Sequence, residues 1–130
     1  MSDAPQVSYT PESDGEPDPG EVVWAWVPYE EDPSQGKDRP VLLLARDGEH
    51  WLALQLTSVD HDRDEEQEAR AGRLWMDVGS GDWDRERRPS EVRINRLLRI
   101  DDATVRREGA ALPEHVFNAV VAQARLHLPI

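Results

Sequence analysis

The chain has 130 residues, 27 acidic and 15 basic side chains, a net charge of −12 and no cysteine. That length fits one domain and not two, and the missing thiols exclude disulfides and cysteine-ligated zinc and fit a reducing cytoplasm. The acidic balance argues against general attraction to nucleic acid, and no apolar run approaches the roughly 18 residues that a membrane span needs.

In chain order, residues 1–18 hold Pro, Ser, Asp and Glu with few core formers, so a disordered acidic tail is predicted there, ahead of one domain over 19–130. The start has no basic residues and no apolar stretch, so it is not expected to be a secretory signal. Pro19-Gly20 signals a turn. Residues 21–27 are rich in Val and Trp, which suit a strand. Residues 28–38 carry two prolines, a glycine and many charges, and read as a loop. Pro40 can open a strand because its missing N–H is tolerated there. Residues 41–45 are continuously apolar, as a strand buried on both faces would be. Asp47-Gly48 predicts a hairpin turn into residues 50–56, with Leu52, Leu54 and Leu56 on one face and Trp51, Ala53 and Gln55 on the other.

An acidic loop over 59–70 follows, then a short strand over 73–78 and a turn at Gly79-Ser80-Gly81-Asp82. Residues 91–95 alternate, with Val92 and Ile94 on one face. Leu97, Leu98 and Ile100 extend an apolar ridge that fits either a strand or one helical turn. After Pro113, the positions Val116, Phe117, Val120, Val121 and Ala124 fall at helical spacing, with Pro113 expected at the first helical position and Glu114 in the first turn. Short strands ahead of one amphipathic helix describe a mainly β (α+β) fold, a small barrel with a C-terminal helix packed on it.

The charge is patchy. Residues 60–70 hold six acids and two arginines, whereas 85–107 hold eight arginines, so a local basic face is compatible with an acidic chain. Lys37 is the single lysine. His61 with Asp60, Asp62 and Asp64 has metal-ligand chemistry, but a solvated acidic loop is the better reading, and no metal or cofactor is expected. Trp24, Trp26, Trp51 and Trp75 fall in strand patterns and suit core or subunit contact. Trp83 sits in a loop beside Arg85, Arg87 and Arg88, where it either anchors the loop or stacks a base.

Four segments resemble the MazF/PemK (CcdB-superfamily) toxins of toxin–antitoxin pairs. Pro19-Gly20-Glu21-Val22-Val23-Trp24 is similar to the family's opening P-G-[DE]-[IV]-[VIL]-W. Gln35-Gly36-Lys37-Asp38-Arg39-Pro40-Val41-Leu42-Leu43-Leu44 resembles its G-x-x-R-P motif and the apolar strand after it. Leu56-Thr57-Ser58 stands where the family shows P-x-T-[TS], with Gln55 at the position of its usual proline. Ser90-Glu91-Val92 through Ile100-Asp101 is similar to its S-x-V…[IL]-D segment. The resemblance implies an SH3-like β-barrel, a homodimer, and a metal-independent endoribonuclease that selects sequences in single-stranded messenger RNA. It also implies an antitoxin partner and a cytoplasmic setting. By the same resemblance Arg39 and Thr57 would be catalytic, with Gln35, Gly36, Lys37 and Ser58 holding substrate.

The chemistry of such a site is demanding. Cutting RNA without a metal needs attack by the 2′-hydroxyl on the adjacent phosphorus, a proton acceptor, a proton donor for the leaving 5′-oxygen, and stabilisation of the phosphorane. A guanidinium stays protonated and is a poor base, but it clamps phosphate oxygens well. Arg39 therefore reads first as a charge stabiliser, with Thr57 and Ser58 as hydroxyl donors. Taken without the resemblance, an Arg before Pro is an ordinary surface ion-pair former and a Thr-Ser at a strand end is ordinary turn chemistry. Two other functions compete: a non-catalytic barrel kept as a protein-interaction module or decayed toxin, and an acidic mimic of nucleic acid.

Overall fold

The structure, a computed structural model, describes residues 6–12, 16–58, 70 and 72–130, with only the backbone at 107 and 108. Strand β1 (Glu21–Pro28) pairs antiparallel with β2 (Gly36–Asp47) along its whole length, from Val22 opposite Leu42 to Pro28 opposite Gly36. The expected loop over 28–38 is therefore a correction. Pro28 and residues 36–38 are strand and 29–35 remain the connecting turn, so Lys37, Asp38 and Arg39 stand on β2 opposite Val27, Trp26 and Ala25. The prolines and charges hide the pairing because β2 meets β3 only from Val41 onward, so Pro40 needs no second ladder partner.

A two-residue turn, with Gly48 at φ +61°, joins β2 to β3 (His50–Thr57). That left-handed value is the one a tight hairpin asks of its first central residue. Leu44 is an extra residue between the Leu43–Ala53 and Ala45–Leu52 pairs. The carbonyls at this bulge accept from the Gly20 N–H (2.8 Å from Leu43) and the Ser8 N–H (3.1 Å from Leu44), which ties the chain before β1 to the bulge.

Then come β4 (Trp75–Gly79), β5 (Ser90–Arg93) and β6 (Leu98–Asp101), which runs into a 3-10 turn at Asp102–Thr104. The apolar ridge at 97–100 is thus a strand. β7 (Arg106–Ala111) pairs with β1, and helix α1 (Glu114–Ala124) closes the order. The pairing path is β4-β5-β3-β2-β1-β7, and β6 also pairs with β3. β3 splits its outer edge: its first half faces β6 and its end faces β5. The sheet therefore curls like a small barrel, though among the described residues no pairing of β4 with β7 closes it.

The two faces of β1–β3 carry two apolar cores, which is why residues 41–45 read as continuously apolar. On one face Val22, Leu42, Leu44, Leu54 and Leu56 meet Val92, Ile94 and the helix residues Phe117, Val120, Val121 and Ala124. On the other, Val23, Ala25, Val41, Leu43, Trp51 and Ala53 meet Leu98 and Ile100. Burying whole Val and Leu side chains contributes about 1.5–3 kcal/mol each. The helix begins one residue later than its proline suggests: Pro113 caps it, and its carbonyl accepts from the Phe117 N–H at 2.9 Å.

Part of the stretch predicted as a disordered tail is placed on this core. Val7 and Tyr9 pack against the helix-side cluster, and the Tyr9 ring lies 5.2 Å from Phe117. The Tyr9 hydroxyl donates to the Leu112 carbonyl at 2.6 Å, and burial followed by the nearby Glu114 raises its pKa. One aromatic with a hydrogen-bonded tip thus anchors residues that composition marks as loose.

Candidate functional site

Two neighbouring clefts meet over the ends of β2 and β3. The first, of about 330 Å³, is lined by Lys37, Arg39, Arg73, Arg93 and Arg96 against Glu30 and Glu31, with Gln55, Thr57 and Trp75 in its wall. The second, of about 240 Å³, shares Lys37, Arg39 and Thr57 and adds Ser58, Arg88, Asp84 and Ser90. The shared residues form the saddle between them. Strand geometry accounts for this. The β2–β3 ladder ends at Val41 opposite Gln55, and Arg39 and Thr57, each two residues beyond that pair, keep to its face and line both clefts.

Arg39 is half-buried, and among the described residues its side chain makes no hydrogen bond or ion pair. Its neighbour Asp38 cannot neutralise it, because Asp38 is bound to Arg106 on β7 at 3.0 Å. Most charged side chains near it are engaged. Arg93, only 4% exposed, holds Glu30 through both ends of its fork, at 3.2 and 3.1 Å, and its Nε is bonded to Asn95. It also lies over the Trp75 ring, 6.0 Å from the centroid. The Arg93 hydrogen bonds hold the Glu30 carboxyl below its ordinary range, against the opposing effect of burial, and Arg96 and Arg73 add to the lowering. Arg96 donates to the Pro28 carbonyl at 2.9 Å. Burial, with help from Arg93 and Arg39, depresses its pKa. An acidic chain has therefore gathered five cations around one cleft, which is the arrangement that attracts a phosphodiester.

Of the residues marked in the sequence, the structure brings Arg39, Thr57, Lys37 and Ser58 together. Gln35 and Gly36 line neither cleft. Gln35 closes the hairpin turn, its carbonyl accepting from Tyr29 N–H at 2.8 Å. At Gly36 a Cβ would stand 2.3 Å from the Val27 carbonyl oxygen, so its glycine answers to backbone approach. Arg93, Arg96, Arg73 and Trp75 were not singled out for the site. The arginine-rich stretch signalled the charge of Arg93 and Arg96, and alternation against Val92 and Ile94 could have singled out Arg93.

Trp83 anchors its loop. It is 4% exposed, its Nε1 donates to Ser90 Oγ at 3.2 Å, and its carbonyl accepts from Trp24 Nε1 at 2.7 Å. A larger groove, of about 590 Å³, carries Glu12, Glu16, Glu21 and Asp82 with Arg87 and contains neither Arg39 nor Thr57. Its carboxylates would repel a phosphate, so size does not decide the site. The acidic stretch with His61 lies outside the described residues, except Arg70. Among the described residues no group of three His, Asp or Glu could hold a metal ion, and no helix is long and apolar enough to cross a membrane.

Compared with known proteins, residues 18–128 match the family model described as the PemK-like, MazF-like toxin of type II toxin–antitoxin systems. No curated protein matches the chain. The match covers the whole sheet, both clefts and the helix, so the chain belongs to the PemK-like, MazF-like toxin family of type II toxin–antitoxin systems.

Proposed function

We propose that this toxin is an endoribonuclease that cuts single-stranded RNA across the Arg39–Thr57 saddle. The 2′-hydroxyl gives its proton to a water molecule and attacks the neighbouring phosphorus, the bond from phosphorus to the 5′-oxygen breaks as that oxygen takes a proton from water, and a 2′,3′-cyclic phosphate and a 5′-hydroxyl remain. Arg39 stays protonated and neutralises the charge that grows on the phosphorane. Thr57 and Ser58 offer hydroxyl donors to the same oxygens, and Lys37 draws in the backbone. The observation that supports it most is an uncommitted Arg39 across from Thr57 inside a cationic cleft on a chain of net charge −12. The homodimer and the antitoxin complex belong to the same reading. Trp26, 42% exposed near the end of β1, offers a surface for such a contact.

Growth on induction separates this reading from a binding module. Expression of the wild-type chain is expected to arrest growth, and the Arg39→Ala/Thr57→Ala double variant to restore it at equal protein level. Arrest that persists in the folded double variant contradicts the proposal and favours a non-catalytic interaction module.

A further inference from the structure

Arg93 and Glu30 form a pair that neither the sheet nor the reaction above requires. Arg93 is almost fully buried on β5, while the Glu30 side chain is 46% exposed. Glu30 comes from the turn at 29–35, whose backbone is held by its own hydrogen bonds, Tyr29 to Gln35 and Gln35 to Asp32. Its carboxylate can therefore swing away while the core stays packed, whereas Arg93 cannot leave. A carboxylate and a phosphate present the same pair of oxygens to a guanidinium fork.

Position adds a second argument. Leu56 stands opposite Val92, so Arg93 falls opposite Gln55 and on the face that carries Thr57. Two residues along a strand is about 7 Å, roughly the backbone step of one nucleotide. The surroundings add a third. Arg96 and Arg73 both act on Glu30, and Arg96 feels Arg93 and Arg39. Glu30 is thus the carboxylate that Arg93 grips through both ends of its fork and that Arg96 and Arg73 also attract, so removing it strengthens the pull of this cluster on a polyanion.

Resting on the RNA-cleaving reading, we propose that Arg93 is the seat of the phosphate next to the scissile one, and that Glu30 occupies this seat until RNA displaces it. Glu30 is then an internal substitute for substrate. It keeps the cleft stable when empty, and it sets a threshold that only a chain of phosphates overcomes.

The test uses the full chain and a fluorescent mixed-sequence DNA oligonucleotide, which has no 2′-hydroxyl to attack. Glu30→Gln is expected to tighten binding about tenfold and to steepen the log–log salt slope by about 0.7, the increment for one added phosphate contact on a single strand. Glu31→Gln removes a carboxylate from the same cleft that has no ion pair among the described residues, and is expected to give under about a threefold gain. In an Arg93→Lys background Glu30→Gln should give no gain. Equal gains at 30 and 31, or an unchanged or weaker affinity in folded Glu30→Gln, overturn the proposal. If Glu30→Gln does not fold, Glu30→Asp, one methylene short of the two-pronged contact, takes its place and should tighten binding about twofold. Failure of both to fold makes Glu30 a structural partner only and also overturns it. A wild-type chain that neither binds the oligonucleotide nor cleaves RNA sinks the parent reading, whereas a wild-type chain that does both while Glu30→Gln changes nothing sinks this inference alone.

Discussion

Replacing Arg39 by alanine is expected to lower the rate of RNA cleavage by about 100- to 1000-fold, the usual loss when one donor to a developing oxyanion is removed. The loss should fall mainly on kcat, because the extra charge exists only in the transition state. Arg39→Lys should recover a minor part, since an ammonium supplies charge without the two-pronged geometry. Thermal stability should hardly move: among the described residues Arg39 makes no ion pair, and such surface changes usually stay within about 0.5 kcal/mol. Single-turnover cleavage and a melting curve, run on the same preparation, check both halves. A large fall in stability together with activity would make Arg39 a structural residue.

Trp83→Ala should have the largest effect on stability, about 3–5 kcal/mol, which corresponds to roughly a 10–20 °C fall in melting temperature for a chain of this size. The indole fills the helix-side core and donates to Ser90, whereas the Trp83 backbone carbonyl, which accepts from Trp24, is kept in the variant. Space for it is reserved by Gly81, where a Cβ would stand under 3 Å from three atoms of the ring. Trp83→Phe should recover about half of the loss or more, since most of the apolar volume remains. Had Trp83 been an exposed base-stacking platform, alanine would have weakened RNA binding and left the melt unchanged. Calorimetry with an oligonucleotide titration separates the two roles.

The strands that form the core were legible because their chemistry is local. A buried strand needs continuous apolar residues, which 41–45 supply. A hairpin needs a positive-φ residue, which Gly48 supplies. A packed helix needs 3.6-residue spacing, which 116–124 supply. β7 was not legible, since arginines, a glutamate, Gly109 and two alanines have little preference for strand. It forms because β1 leaves an edge to cover, and Gly109 allows the approach: a Cβ there would stand 2.8 Å from Val23 Cγ1. Likewise Lys37 and Asp38 looked like loop residues, and only the β1 ladder makes them strand.

The site divides the same way. Arg39 and Thr57 stood out because their motifs sit at strand ends, where register brings them together. Arg93 and Arg96 were two of eight arginines in one stretch; alternation sets Arg93 on the face away from Val92 and Ile94, but nothing local says that this face lines a cleft, while Arg88 and Arg99 pair with Asp84 and Asp47. What selects Arg93 is the curl of β5 onto the end of β3, a long-range fact. That curl gives an acidic toxin a cationic cleft.

The most direct test of RNA cleavage at this saddle is the chemistry of the ends. Purified protein is incubated with long mixed-sequence RNA in EDTA, and the fragments are analysed by mass spectrometry. Discrete fragments ending in 2′,3′-cyclic phosphate and beginning with a 5′-hydroxyl, lost in the Arg39→Ala chain, are the expected result. Intact RNA at high excess of folded wild-type protein, or the same fragments from Arg39→Ala at the same rate, would contradict it.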